Sequence, residues 1–262
     1  MKQASSSLDR ARHFMVLVLF KTLAELRGER QRTYLGFLWW LFEPAFLMLV
    51  YYLVFGKFLN YGGQDYVAVL LCGLVLWQWF GNAVIHCATS IQTAMPLART
   101  VKVPMALFPL AVLLADTIKF AFVFVVLILV LVAMGYAPTF AYVWLIPVLV
   151  AEFVFTCGVC FIVAAVVPML PDLNFVVGTA LQALMFLSAV FFQINTLSPV
   201  AQHWLAYDPM ATIIDNGRNV ILFGQPPALE HIAIICGFAI IALACGLMLV
   251  HILTPRYPKL AD

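Results

Sequence analysis

Six long apolar stretches separated by polar segments organise the 262-residue chain, at residues 37–58, 66–87, 106–134, 142–167, 175–194 and 232–253. About 20 apolar residues in a helix cross a ~30 Å hydrocarbon core with every backbone hydrogen bond satisfied internally. Each stretch therefore predicts a transmembrane helix. Ahead of them, residues 8–27 alternate apolar and charged positions. That pattern predicts an amphipathic helix lying in the membrane interface, with a soluble docking helix as the alternative. Residues 195–230 differ again: Pro199, Pro209, Pro226 and Pro227 interrupt a segment still rich in Trp204, Leu205, Ile213, Ile214 and Ile221. Proline breaks helices, so short helices packed on or dipping into the outer leaflet are expected there. The chain shows no internal repeat, so the inverted-repeat plan of many secondary transporters gains no support. The expected fold is one all-α integral membrane domain: an interfacial helix within residues 1–34, a six-span bundle over 35–255 and a tail at 256–262.

Composition agrees. Hydrophobic residues make up 65% of the chain and charged residues 10%, with a mean hydropathy of +1.04. A soluble domain carries about 25% charged residues, so a soluble enzyme or a nucleic-acid-binding domain is excluded. The net charge of +2 is too small to indicate an anionic partner. Its distribution is more informative. With the N-terminus inside, Lys57 and Arg218 fall outside, Lys119 lies within a span, and the other 11 of the 14 lysines and arginines are cytoplasmic. The positive-inside rule then places both termini in the cytoplasm. The short apolar run from Phe14 to Phe20 leads into Lys21, Glu25 and Arg27 with no small-residue cleavage site, and so does not read as a secretory signal.

The chain carries no phosphate-binding loop, no nucleophile elbow and no H-E-x-x-H pair. If energy drives this protein, a different chain binds the nucleotide. The five histidines lie on different elements. Cys157 and Cys160 have the spacing of a redox or zinc pair, but they sit inside an apolar run without a second Cys/His cluster and read as packing residues. Asp116 and Lys119 share one helical face and can neutralise each other, whereas Glu43 and Glu152 stand on other helices. A proton relay would need such groups to converge, so structural pairing is the better reading. Trp39, Trp40 and Trp144 suit an interfacial belt. The alternative is that Trp39, Trp40, Tyr51 and Tyr52 line a passage and stack against sugar rings. Residues 90–104 carry Arg99 and Lys102 and are long enough for a short docking helix.

The stretch Arg30-Gln-Arg-Thr-Tyr-Leu-Gly-Phe-Leu-Trp-Trp-Leu-Phe-Glu-Pro44, continuing through Tyr51-Tyr-Leu-Val-Phe-Gly56, resembles the opening of type-2 ABC exporter membrane subunits. It is most similar to the polysaccharide exporters of O-antigen, capsule and teichoic acid. Asp208-Pro-Met-Ala-Thr-Ile-Ile-Asp-Asn-Gly-Arg218, with Gly224, resembles their outer loop, which usually has Asn-Pro at its start. The resemblance implies an interfacial helix and six spans, with short re-entrant periplasmic helices between spans five and six. It implies a homodimer in the bacterial inner membrane with two separate ATPase subunits that bind ATP and magnesium, no cofactor in this chain itself, and a lipid-linked polysaccharide as cargo. The 92–102 loop would be the coupling helix, with Gln92, Pro96, Arg99 and Lys102 at the ATPase. Trp39, Trp40, Tyr51 and Tyr52 would line the channel, and Trp204, Asp215, Arg218 and Gly224 would belong to a periplasmic gate. Where the family often shows Arg-Asp after span four, this chain has Pro171-Asp172. The other readings are an exporter of a drug or lipid, a membrane-embedded glycosyl- or acyltransferase, and a scaffold subunit.

Overall fold

The computed structural model describes residues 7–32, 38–58, 65–101 and 103–259, and these are helices joined by short turns, with no strand among them. Among the described residues, four helical segments are long and apolar enough to cross a membrane, at Tyr66–Leu97, Leu107–Ala133, Phe140–Val166 and Glu230–Leu253. Leu38–Val54 and Leu173–Leu187 are shorter apolar helices.

The first helix, α1 (Ser7–Arg32), lies against α5 (Leu107–Ala133). Val18 and Thr22 are buried there, and the Thr22 hydroxyl donates 3.2 Å to the Ala111 carbonyl. Met15, Leu19, Phe20 and Leu23 remain exposed, so α1 carries an uncovered apolar stripe as well as a docked one. Next comes α2 (Leu38–Tyr51), which contains the buried Pro44 and passes into a π-helical turn at Tyr52–Phe58.

The centre of the molecule is α3 (Tyr66–Ala88). Its span is 78% buried, against 17% for α10 (Leu229–Leu253). A helix apolar all round belongs in the middle of a bundle, and α3 is packed by α5, α6 (Leu145–Val166), α7 (Leu173–Leu187) and α9 (Pro209–Phe223). The two outer helices α6 and α10 pack closely through small residues. A β-carbon on Gly158 would lie 2.6 Å from the Ala242 carbonyl carbon. After α10, the Tyr257 hydroxyl donates 3.0 Å to the Ala165 carbonyl and pins the following turn to α6.

One expected span is shorter than its apolar stretch. The sequence remains apolar to residue 194, but α7 ends at Leu187 and Ala189 has φ +58°. No glycine or proline lies between 188 and 194 to announce this break. The left-handed conformation costs a non-glycine residue about 1–2 kcal/mol, so something outside the segment must hold it.

Candidate functional site

The bundle has one end marked by α4 (Ser90–Thr100), which follows α3 across Thr89 and packs on α5 and α6. Ile91 and Ala94 are buried on the bundle side, while Gln92 and Pro96 are exposed. Arg99 belongs to the helix, and Lys102 lies outside the described residues. The arrangement presents a short exposed helix at the tip of the most buried span.

Beside this end, α1, α2, α3 and α5 enclose a cavity of about 390 Å³. An ion network centred on the buried Asp116 forms one wall. Lys119 of α5 donates to Glu29 of α1 at 2.7 and 2.9 Å and pairs with Asp116 at 2.6 Å. Asp116 also holds His86 Nδ1 of α3, at 2.9 and 3.1 Å from its two oxygens. Asp116 is 5% exposed, so the carboxylate has two cationic or hydrogen-bonding partners where it has little water. The Lys119 ammonium also lies 5.9 Å from the centre of the Trp40 ring, which brings α2 into the cluster. Trp39, Trp40 and Glu43 line the α2 side of the cavity, and Gln78, Trp79 and Asn82 line the α3 side. Both Gln78 Nε2 and Trp79 Nε1 are buried without a hydrogen-bond partner among the described residues. Trp79 itself stacks on Phe120, ring centres 4.1 Å apart.

The four aromatic positions proposed for a passage separate into two places. Trp39 and Trp40 face the cavity. Tyr51 instead packs edge-on against Phe191, at 4.7 Å, beyond the broken end of α7, and Tyr52 is partly buried against the core.

At the opposite end of the bundle, α8 (Pro199–Leu205) and α9 fill the expected proline-broken region. Helix α9 starts and stops where elementary rules place it. Asp208 Oδ1 accepts from the Met210 amide at 3.0 Å, Pro209 takes the first helical position, and Gly224 closes the helix at φ +62°. Thr139 stands within 3.2 Å of where a β-carbon on Gly224 would be. Trp204 of α8 is 73% exposed. Asp215 accepts from Asn219 Nδ2 at 3.3 Å. Nearby, the Tyr136 hydroxyl donates to Asp65, and burial together with this bond pushes Tyr136 up to about 12.

Arg218 is the fixed point of this end. It is 1% exposed, yet no carboxylate forms an ion pair with it among the described residues. Its partners are four backbone carbonyls. Nε donates 2.9 Å to Val69, Nη1 donates 2.6 Å to Ala189 and 2.9 Å to Phe192, and Nη2 donates 2.6 Å to Val190. Three of these carbonyls belong to the segment after the break in α7. Burial lowers the guanidinium to about 10, so it remains charged at neutral pH. The guanidinium fork thus replaces the helical hydrogen bonds that residues 189–192 do not make. The sequence offers Arg218 three kinds of partner: Asp208, Asp215 three residues before it, and the backbone carbonyls of a second copy. The carbonyls are this chain's own.

Sequence reading passed over Gly73, Gln78 and the partnership of Glu29 with Lys119. The Glu29–Lys119 bond crosses 90 residues, and no local pattern signals it.

The amino-acid sequence of the chain matches a known family model. The model for the ABC-2 type transporter covers residues 18–222, and the chain belongs to that family. Among curated relatives, it is 22% identical over 245 residues to the O-antigen export system permease protein RfbA of Klebsiella pneumoniae, covering 93% of this chain and 94% of the relative. It is 24% identical over 221 residues to the protein of the same description from Myxococcus xanthus, covering 84% and 85%. A second such Klebsiella pneumoniae protein is 21% identical over 245 residues, covering 93% and 94%.

Proposed function

We propose that this chain is the membrane-spanning subunit of an ATP-driven exporter that carries a lipid-linked, O-antigen-like polysaccharide across the bacterial inner membrane. The observation that carries the reading is the end-to-end similarity to O-antigen export permeases, which spans 93% of the chain rather than one motif. Two copies form the passage in this reading, and two ATPase subunits dock on α4. The exposed apolar residues of α2 and α7 support pairing, since Phe42, Phe46, Phe175 and Leu187 are each at least 60% exposed. Lipid and a second copy are the surfaces that would cover them. Helices α2 and α7 serve as spans one and five, and α8 and α9 re-enter the bundle from the periplasmic side as a gate. The charge bias of the loops puts both termini and α4 in the cytoplasm.

The test is genetic and biochemical together. Deleting the gene should remove the surface polysaccharide and leave lipid-linked glycan on the cytoplasmic side. The tagged protein should recover itself in two copies with an ATPase subunit. Surface glycan that persists unchanged would overturn the cargo, and recovery without any ATPase would overturn the exporter.

A further inference from the structure

We propose that the cavity between α1, α2, α3 and α5 is a subsite for one sugar ring of the glycan, neutral or amino-bearing, and that it rejects the diphosphate of a lipid carrier. The inference rests on the polysaccharide cargo proposed above and adds where, and by which chemical part, the cargo is held.

Size and charge both bear on the occupant. At about 390 Å³ the cavity falls within the ~300–1,000 Å³ usual for small-ligand sites. Its ionisable lining is Glu29, Glu43, Asp116, Lys119 and His86. The formal charge there is −2 with His86 neutral and −1 with it protonated. The one ammonium is already held between Glu29 and Asp116 at 2.6–2.9 Å. An incoming diphosphate would meet excess negative charge on the described lining residues and find no free cation among them.

The hydrogen-bonding groups call for a ligand that accepts. Gln78, Trp79 and Asn82 line the cavity from α3; Gln78 Nε2 and Trp79 Nε1 are buried donors without partners among the described residues, and the half-buried Gln78 side chain needs only to turn into the cavity for its amide to meet a ligand. Unmatched buried donors are uncommon in folded proteins and call for an explanation. A sugar hydroxyl accepts from such donors and donates in turn to a carboxylate such as Glu43. The aromatic lining fits the same ligand. Trp79 is buried with Phe120 stacked on it, whereas Trp39 is 51% exposed and offers an open indole to the apolar face of a ring.

The experiment uses the full chain in nanodiscs of phosphatidylcholine, which carry no sugar headgroup, and reads intrinsic tryptophan fluorescence. The probes are a neutral mannose trisaccharide, a glucosamine trisaccharide and inorganic pyrophosphate. Saturable changes are expected with both saccharides, tighter with the amino sugar, and none with pyrophosphate at the same concentrations. Gln78→Leu should weaken both saccharides about tenfold, the effect of one buried hydrogen bond. Glu43→Gln alters an exposed side chain and should weaken chiefly the amino sugar. Saturable pyrophosphate binding, no saccharide binding, or saccharide affinities unchanged in both variants would each overturn the subsite. Because binding is read on this chain without ATPase or export, those results would leave the exporter reading to its own test.

Discussion

Gly73 of α3 lies directly against the Arg218 guanidinium of α9: a β-carbon on residue 73 would overlap Nη2 and stand 2.9 Å from the Val190 carbonyl oxygen. The missing side chain is what allows a charged group from the far end of the sequence to reach the carbonyls of residues 189–192. Gly73→Ala must displace the guanidinium, the Val190 backbone, or both. Overpacking of this kind costs about 1–3 kcal/mol before any hydrogen bond is lost. Thermal unfolding of the purified protein should show at least that loss. The double variant Gly73→Ala/Arg218→Ala should lose less than the sum of the two single losses, since the larger overlap disappears with the guanidinium and only the close approach to the Val190 carbonyl remains. Additive losses would show that the two residues act separately.

Removing the guanidinium alone tests what it holds. Arg218→Ala leaves the carbonyls of Val69, Ala189, Val190 and Phe192 without their donors. An unsatisfied buried acceptor costs about 1–3 kcal/mol, so a loss of about 3 kcal/mol or more is expected. Arg218→Lys keeps the charge but not the fork, and should recover only part of it. Hydrogen exchange locates the effect. Protection should fall first in residues 188–193. An intact segment in Arg218→Ala would mean that the break in α7 holds itself.

Much of this architecture is legible in the chain, and what is not has a physical reason. Helices α3, α5, α6 and α10 follow their apolar stretches because a run of that length and composition has few other solutions. The limits of α9 are equally legible, because Asp208, Pro209 and Gly224 act on the backbone beside them. The end of α7 is not. Ser188 to Ile194 contains no breaker, and the helix yields there to a side chain 26–29 residues away. Backbone carbonyls look alike in any sequence, so Asp215 attracted attention as a partner and the true acceptors could not. The cavity escaped for a related reason: Glu29, His86 and Lys119 are ordinary residues on separate helices until the fold brings them together.

The ion network predicts a particular non-additivity. Lys119→Met leaves Glu29 and Asp116 facing each other without the cation between them. Breaking a buried pair from one side costs about 3–5 kcal/mol, discounted here because Glu29 is partly exposed. Adding Asp116→Asn should restore part of the lost stability, as the uncompensated charge goes. Unfolding of both variants by heat in the same detergent decides it. A double variant less stable than Lys119→Met would show that Asp116 is held by His86 more than by Lys119.

For α4 the expected effect is on coupling rather than on stability. Arg99 and Lys102 are the basic residues of the 90–104 segment. Charge reversal at both should reduce transport-linked ATP hydrolysis by about tenfold or more, the result of losing ~1.4 kcal/mol of docking energy. Membrane insertion should be unchanged. Normal export and normal recovery of the ATPase would remove this segment from the interface.

Glu152 makes the opposite prediction to every residue above. It is 0% exposed on α6, and neither carboxyl oxygen has a hydrogen-bond partner among the described residues. One turn further on, the Thr156 hydroxyl is buried and unpartnered too. A second copy of the chain would not supply the missing partners, because this side chain has no exposed surface for it to reach. Polar groups buried without hydrogen bonds cost about 1–3 kcal/mol. Glu152→Met, similar in length and without that polar end, should therefore raise the unfolding temperature, and Thr156→Val should add a smaller increase. Export measured on the same variants separates two reasons for retaining the carboxyl. If Glu152→Met is more stable and exports normally, the carboxyl is only a stability defect. If it is more stable but exports slowly, the site trades stability for movement of α6 against its neighbours. A fall in stability for Glu152→Met, with Glu152→Gln unaffected, would overturn the premise and show that the polar end is bonded.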